Sequence, residues 1–172
     1  MRGFILGVIA TLVLLPAGLV ALVRSGRIPI RADEAPPWWE TKVASIAFDA
    51  GLARYAPKIP NPVLPTDKNL ATGARLYRGS CAGCHGGPEK GENLFARSLY
   101  PRAPQFPDHP TALPDYEIFW VTRHGIRRTG MPAWGALLKD DEIWAIAGFL
   151  ERIDRLPAAA QSAWKEPIKA GH

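Results

Sequence analysis

Apolar positions run unbroken from Phe4 to Val23, a stretch of twenty residues with no charged side chain. As a helix, a run of that length crosses the ~30 Å hydrocarbon core of a bilayer. A secretory signal has a shorter apolar core and ends in small residues at a cleavage site. Neither Val20-Ala21-Leu22 nor Ala21-Leu22-Val23 makes such a site. The run is therefore expected to stay as an N-terminal anchor in contact with lipid through residues 4–23. Pro16 inside it predicts a kink, tolerable in a membrane where neighbours satisfy the freed carbonyl.

Beyond Val23 the pattern breaks. Residues 24–37 mix prolines with both signs of charge and read as an exposed connector. From Trp38 to Tyr55 the apolar positions Trp39, Val43, Ile46, Ala47 and Ala50 recur every three or four residues, which predicts a helix over 38–55. Two roles fit it equally. It packs on the following domain, or it lies as an amphipathic helix on the membrane or on a partner subunit. Residues 57–65 carry four prolines and form an extended spacer.

Three further helices are expected between residues 66 and 157. The first covers 70–80, capped by Asp67 or Asn69. The second opens at Asp115, runs to His124 and stops at Gly125. The third begins with Asp140, Asp141 and Glu142, acids placed where the helix dipole favours them. Its apolar stripe is Ile143, Ile146, Ala147, Leu150 and Ile153, and Pro157 ends it. Residues 86–112 and 126–139 are rich in Gly and Pro and read as loops, and 158–172 as a short surface tail. No strand pattern and no internal repeat is visible. The chain thus divides into an anchor with its basic flank (1–32), a linker (33–65), a mainly α domain (66–157) and a tail (158–172).

Composition sharpens this. The 17 prolines and 16 glycines among 172 residues point to a small, loop-rich fold, not a long helical bundle or a sandwich. The net charge of +5 leaves residues 61–172 nearly balanced, with no basic tract of the kind that binds nucleic acid.

The chemistry concentrates in Cys81-Ala82-Gly83-Cys84-His85. Two cysteines three positions apart, followed at once by a histidine, form the attachment signature of a c-type haem. Each thiol adds across one porphyrin vinyl group, and the histidine is carried under the iron as its proximal ligand. The chain has no other cysteine. A thioredoxin-like pair would need a βαβ setting, and a closed zinc site would need four N or S ligands at suitable spacing. Neither is present in the sequence, and a plain disulfide explains nothing about His85.

An iron held by His85 has a second axial position. Met131, in Thr129-Gly130-Met131-Pro132, is the one methionine beyond Met1. Gly130 gives the backbone room near a ring, and Pro132 stiffens the loop. A thioether favours reduced iron and raises its potential. His124, at a helix end, and His109, in a loop, are the weaker candidates; His172 lies in the tail. Trp120, Trp134, Arg123, Arg127 and Arg128 carry N–H donors suited to haem propionates, although core packing and solvation account for them as well.

Together these residues resemble the class I cytochrome c family over 70–156. The resemblance implies a small helical fold around one covalently bound haem c, with Cys81, Cys84, His85 and Met131 as cofactor-binding residues. It also implies that Gly73 and Tyr77 of the first helix meet Trp144 or Gly148-Phe149 of the last. A proline carbonyl, from Pro101 or Pro104, should orient His85. With both axial positions filled, one-electron transfer is the implied role. Donors and acceptors would be membrane or periplasmic redox proteins: a quinol-oxidising complex, a dehydrogenase, an oxidase or a reductase. Three alternatives stand beside it: a permanent haem subunit of a larger oxidoreductase, a gas sensor or peroxidase with a labile Met131, and thiol–disulfide exchange. Arg24, Arg27 and Arg31 after the apolar run favour a cytoplasmic C-terminal side. Covalent haem attachment argues for the periplasmic face of a bacterial inner membrane, and it weighs more because its chemistry is tied to that compartment.

Overall fold

A computed structural model describes residues 1–89 and 93–166. It divides into two units, residues 1–31 and 32–172. The first is one helix, α1 (Arg2–Arg24), continuous through Pro16 and with no buried residue. Its mean hydropathy reaches 2.6, so it is long and apolar enough to cross a membrane.

The second unit is helical, with no strand among the described residues. Its elements are α2 (Trp38–Tyr55), α3 (Asp67–Ser80), α4 (Ala82–His85), α5 (Leu94–Ser98), α6 (Asp115–His124), a 3-10 turn (Trp134–Ala136), α7 (Asp140–Leu150) and α8 (Ala158–Lys165). α7 is the centre. Every residue from Ile143 to Leu150 is buried, because α3 packs on one side of it and α6 on the other. Asp140, Asp141 and Glu142 start it, and the Glu142 carboxylate accepts from the Lys139 backbone N–H at 2.8 Å. Phe119 of α6 stacks on Trp144 of α7 with ring centroids 4.0 Å apart. On the opposite side, Tyr77, Phe149 and Trp164 form a triangle of rings 5.3–5.6 Å apart.

Several expectations are corrected. α3 begins at Asp67, not at 70, because Thr66 is the cap and its hydroxyl accepts from the Asn69 N–H. α7 stops at Leu150, and residues 151–154 continue as turns toward Pro157. Residues 158–165, read as part of a surface tail, form α8 and bury Ala160, Ala163 and Trp164 against α3. The buried Arg78 guanidinium reinforces this packing by donating to the backbone carbonyls of Trp164 and Glu166. Residues 167–172, with His172, lie outside the described residues. The loop 86–112 contains the short helix α5, whose start is capped by the Asn93 side chain.

α2 has the expected bounds but turns the other way. The side that packs carries Glu40, Phe48 and Leu52, together with Tyr55, whose ring stacks on Trp120. Trp39, Val43 and Ile46, the stripe that periodicity marks as inward, stand outward at 56, 61 and 57% exposure. The helix is apolar along two opposite sides, so hydrophobic spacing alone does not say which side packs.

Candidate functional site

The site is built where α3 ends. Cys81 closes α3 with its N–H on the Tyr77 carbonyl, and a single further turn, α4, carries Cys84 and His85. Gly86 ends that turn at φ +88, a backbone conformation glycine takes without a Cβ penalty. The Tyr77 hydroxyl donates to the His85 and Gly86 carbonyls at 3.0 and 3.1 Å, so α3 clamps the motif it delivers. Burial pushes the Tyr77 phenol far above its ordinary value.

His85 is held from the other side by the loop 103–106. Its Nδ1 lies 3.0 Å from the Pro104 carbonyl oxygen, to which it donates, and its ring stacks on Phe106 at 4.8 Å. Of the two prolines that were expected to compete, Pro104 makes this contact. The bond leaves Nε2 as the nitrogen with a free lone pair, the form a metal needs. Burial also lowers the His85 pKa, against a smaller opposite pull from the Pro104 bond. The net lowering and the tautomer set by the Pro104 carbonyl suit a neutral ligating imidazole. The Gln105 amide donates to the Cys84 carbonyl at 3.0 Å, fixing the second cysteine's backbone.

Cys81, Cys84 and His85 face a cavity of about 370 Å³. Met131 lines the same cavity. Its loop is locked by three local bonds. The Ile126 N–H donates to the Met131 carbonyl, the Met131 N–H to the Thr129 hydroxyl, and that hydroxyl to the Ile126 carbonyl. The remaining wall is largely apolar, including Leu113, Ile118, Val121, Ile146 and Leu150. A flat, mostly apolar macrocycle suits such a lining, with two thiols, an oriented imidazole and a thioether at its rim, so the residues present fit a haem. They do not suit thiol exchange. Burial, helped by the Cys84 sulfur, pushes the Cys81 thiol up to about 12, whereas exchange-active cysteines are driven toward thiolate. Among the described residues no three His, Cys, Asp or Glu side chains gather into a cluster that could hold a metal by themselves.

Of the weaker candidates, Trp134 and His109 line the cavity. His124 does not; it is exposed at the end of α6 with its ring against Trp120. Trp120, Arg123, Arg127 and Arg128 also lie off the cavity, and Arg123 is paired with Asp140 at 2.8 Å. Sequence reading missed Arg102 and Phe48 on the wall. Arg102 follows Pro101, one of the two prolines able to orient His85, so proximity in sequence is a usable signal for it. Phe48 had none.

The family model described as cytochrome c oxidase, cbb3-type, subunit III, matches residues 68–150. No curated protein matches, and no solved structure matches. The attachment motif, the apolar cavity it opens on and this match agree: residues 68–150 are a c-type cytochrome domain, of the electron-transport class that carries haem iron.

Proposed function

We propose that the protein is a membrane-tethered monohaem cytochrome that passes single electrons between a membrane or periplasmic donor and an oxidase or reductase. Its haem c is joined through Cys81 and Cys84 and its iron held by His85 and Met131. One observation carries the reading. All four residues reach one apolar cavity, with the Pro104 carbonyl setting the His85 tautomer. When bound there, the haem supplies a ferric/ferrous couple. The chain's own part would be to bind it, hold the His85 and Met131 side chains on short hydrogen-bonded turns, and exclude water. With His85 and Met131 both holding the iron, no position would be left for oxygen or peroxide, so the reading is a carrier, not a catalyst. The apolar α1 would keep the domain beside membrane partners and raise its effective concentration there. The domain would lie on the periplasmic side of a bacterial inner membrane, where covalent haem attachment takes place.

A second reading, a fixed haem subunit of a membrane oxidase, has its own support. The matching family model is described as an oxidase subunit. The outward stripe of Trp39, Val43 and Ile46 is also an apolar surface without a covering element among the described residues. Purification of the full chain from membranes in mild detergent, followed by haem staining after denaturation, tests both. Colour that stays on the polypeptide is expected. Colour that washes away removes the haem c assignment. Isolation as a single coloured chain supports the carrier; constant co-purification with other membrane chains supports the subunit.

A further inference from the structure

The matched segment begins at residue 68, yet Phe48 on α2 lines the same cavity as Cys81, Cys84 and His85. We propose that Phe48 is part of the haem site and that α2 is a strap sealing one edge of it. This rests on the haem reading above.

Two contacts and one buried side chain on the same side of α2 flank Phe48. Two turns earlier, the Glu40 carboxylate accepts from the Tyr100 hydroxyl at 2.7 Å. One turn later, Leu52 is buried. Two turns later, Tyr55 stacks on Trp120 with the rings 6.3 Å apart and 11° from parallel. The positions 40, 48, 52 and 55 fall on one side of a helix, so the strap is pinned at both ends and Phe48 sits between the pins. The first pin has a further consequence. Tyr100 belongs to the segment 99–104, which supplies Leu99, Pro101, Arg102, Ala103 and Pro104 to the cavity wall. Pro104 is the residue whose carbonyl orients His85. Glu40 is thus a positioning residue that steadies the segment behind His85, while Phe48 lines the cavity that would hold the cofactor.

The physical effect follows from charge. Ferric haem carries one more positive charge than ferrous haem, and water at the edge stabilises that charge. A phenyl ring in place of water favours the reduced state and raises the potential.

The test uses the full-length holoprotein in detergent, with equilibrium redox titration as the main readout. The thioether-to-ferric-iron absorption band is followed alongside it. Phe48→Ala is expected to shift the reduction potential negative with the band retained. Phe48→Leu should recover most of the shift. Phe48→Tyr, which keeps the ring and adds a hydroxyl to the seal, should also shift negative, and it covers the case in which Phe48→Ala fails to fold. Glu40→Ala, which removes the acceptor of the Tyr100 hydroxyl, should speed hydrogen exchange across 99–106; exchange equal to wild type there overturns the positioning role of Glu40. Potentials equal to wild type in both Phe48→Ala and Phe48→Tyr overturn the proposal, even where thermal stability falls, because that result makes Phe48 packing only. A chain carrying no covalent haem fails the underlying reading instead, and the stain separates the two failures.

Discussion

A Cβ built on Gly73 would lie 2.1 Å from the carbonyl oxygen of Ala145, so α3 and α7 touch backbone to backbone. Phe149 Cβ stands 2.9 Å from the same point. No flexible side chain can yield there. A substitution must part the two helices, and α7 carries Ile146 and Leu150 on the cavity wall.

Gly73→Ala therefore tests the crossing. Replacing a mid-helix glycine by alanine normally gains about 1 kcal/mol of helix propensity. Overpacking of a closed core costs about 1–3 kcal/mol, and a backbone clash belongs at the upper end. The expected net result is a loss of stability with a disturbed haem spectrum. Urea unfolding of the holoprotein, followed by far-UV circular dichroism, measures it. An unchanged or raised midpoint would show that the helices separate without cost.

Tyr77 makes stability depend on pH at the alkaline end. Burial raises its folded-state pKa above the ordinary 10.0. In the unfolded chain the phenol ionises near that ordinary value. Above it the unfolded state has lost a proton that the folded state keeps, so unfolding becomes more favourable as pH rises. The contribution is intact below about pH 10 and declines above it. Tyr77→Phe should flatten that alkaline decline. It should also lose about 1–2 kcal/mol at neutral pH, because the His85 and Gly86 carbonyls lose their shared donor. Unfolding midpoints of both proteins from pH 7 to 11 decide it; parallel curves would place the titration elsewhere.

Local chemistry was legible in the sequence, and so were elements whose ends are punctuated. α6 runs from Asp115 to His124 before Gly125, as its acids and its stop residue indicate. The Gly73 and Tyr77 contact was expected to fall on Trp144 or Gly148-Phe149; Tyr77 meets the Phe149 ring, Gly73 meets the Ala145 backbone and Phe149 Cβ, and Trp144 turns away to stack on Phe119. Long-range choices were not legible. Pro101 and Pro104 look alike in sequence, and only the fold brings one carbonyl to His85. α8 escaped notice because alanines at 160 and 163 are weak signals until Arg78 and Tyr77 are seen beneath them. For α2, apolar residues on both sides defeat any argument from period.

The Met131 loop turns on Gly125. Its φ is +67, and a Cβ there would stand 2.7 Å from the Pro132 carbonyl carbon and 2.8 Å from the Met131 oxygen. At φ +67 and ψ −176 the backbone is in a region essentially restricted to glycine, where an L side chain costs about 1–3 kcal/mol before any clash is counted. Gly125→Ala should push the 126–132 turn outward while leaving Cys81, Cys84 and His85 in place. The expected signature is covalent haem at normal yield with a weakened or absent thioether-to-iron band. Retention of the full band would mean that the loop absorbs the change without moving Met131.

Removal of the thioether itself gives the strictest test of the axial assignment. Met131→Ala leaves both attachment cysteines and the Pro104-oriented His85 untouched, so the haem should stay on the chain. The side chain lost is partly exposed and sits in a loop, so global stability should fall by no more than about 1–2 kcal/mol. The spectrum should change completely. Low-spin features give way to high-spin, the reduction potential drops, and the reduced protein binds carbon monoxide where the parent does not. His109 lines the same cavity and carries an imidazole suited to the vacated position. If Met131→Ala stays low-spin at a much lower potential, the double variant Met131→Ala, His109→Ala should become high-spin. If Met131→Ala keeps both the low-spin spectrum and the parent potential, Met131 is not the ligand.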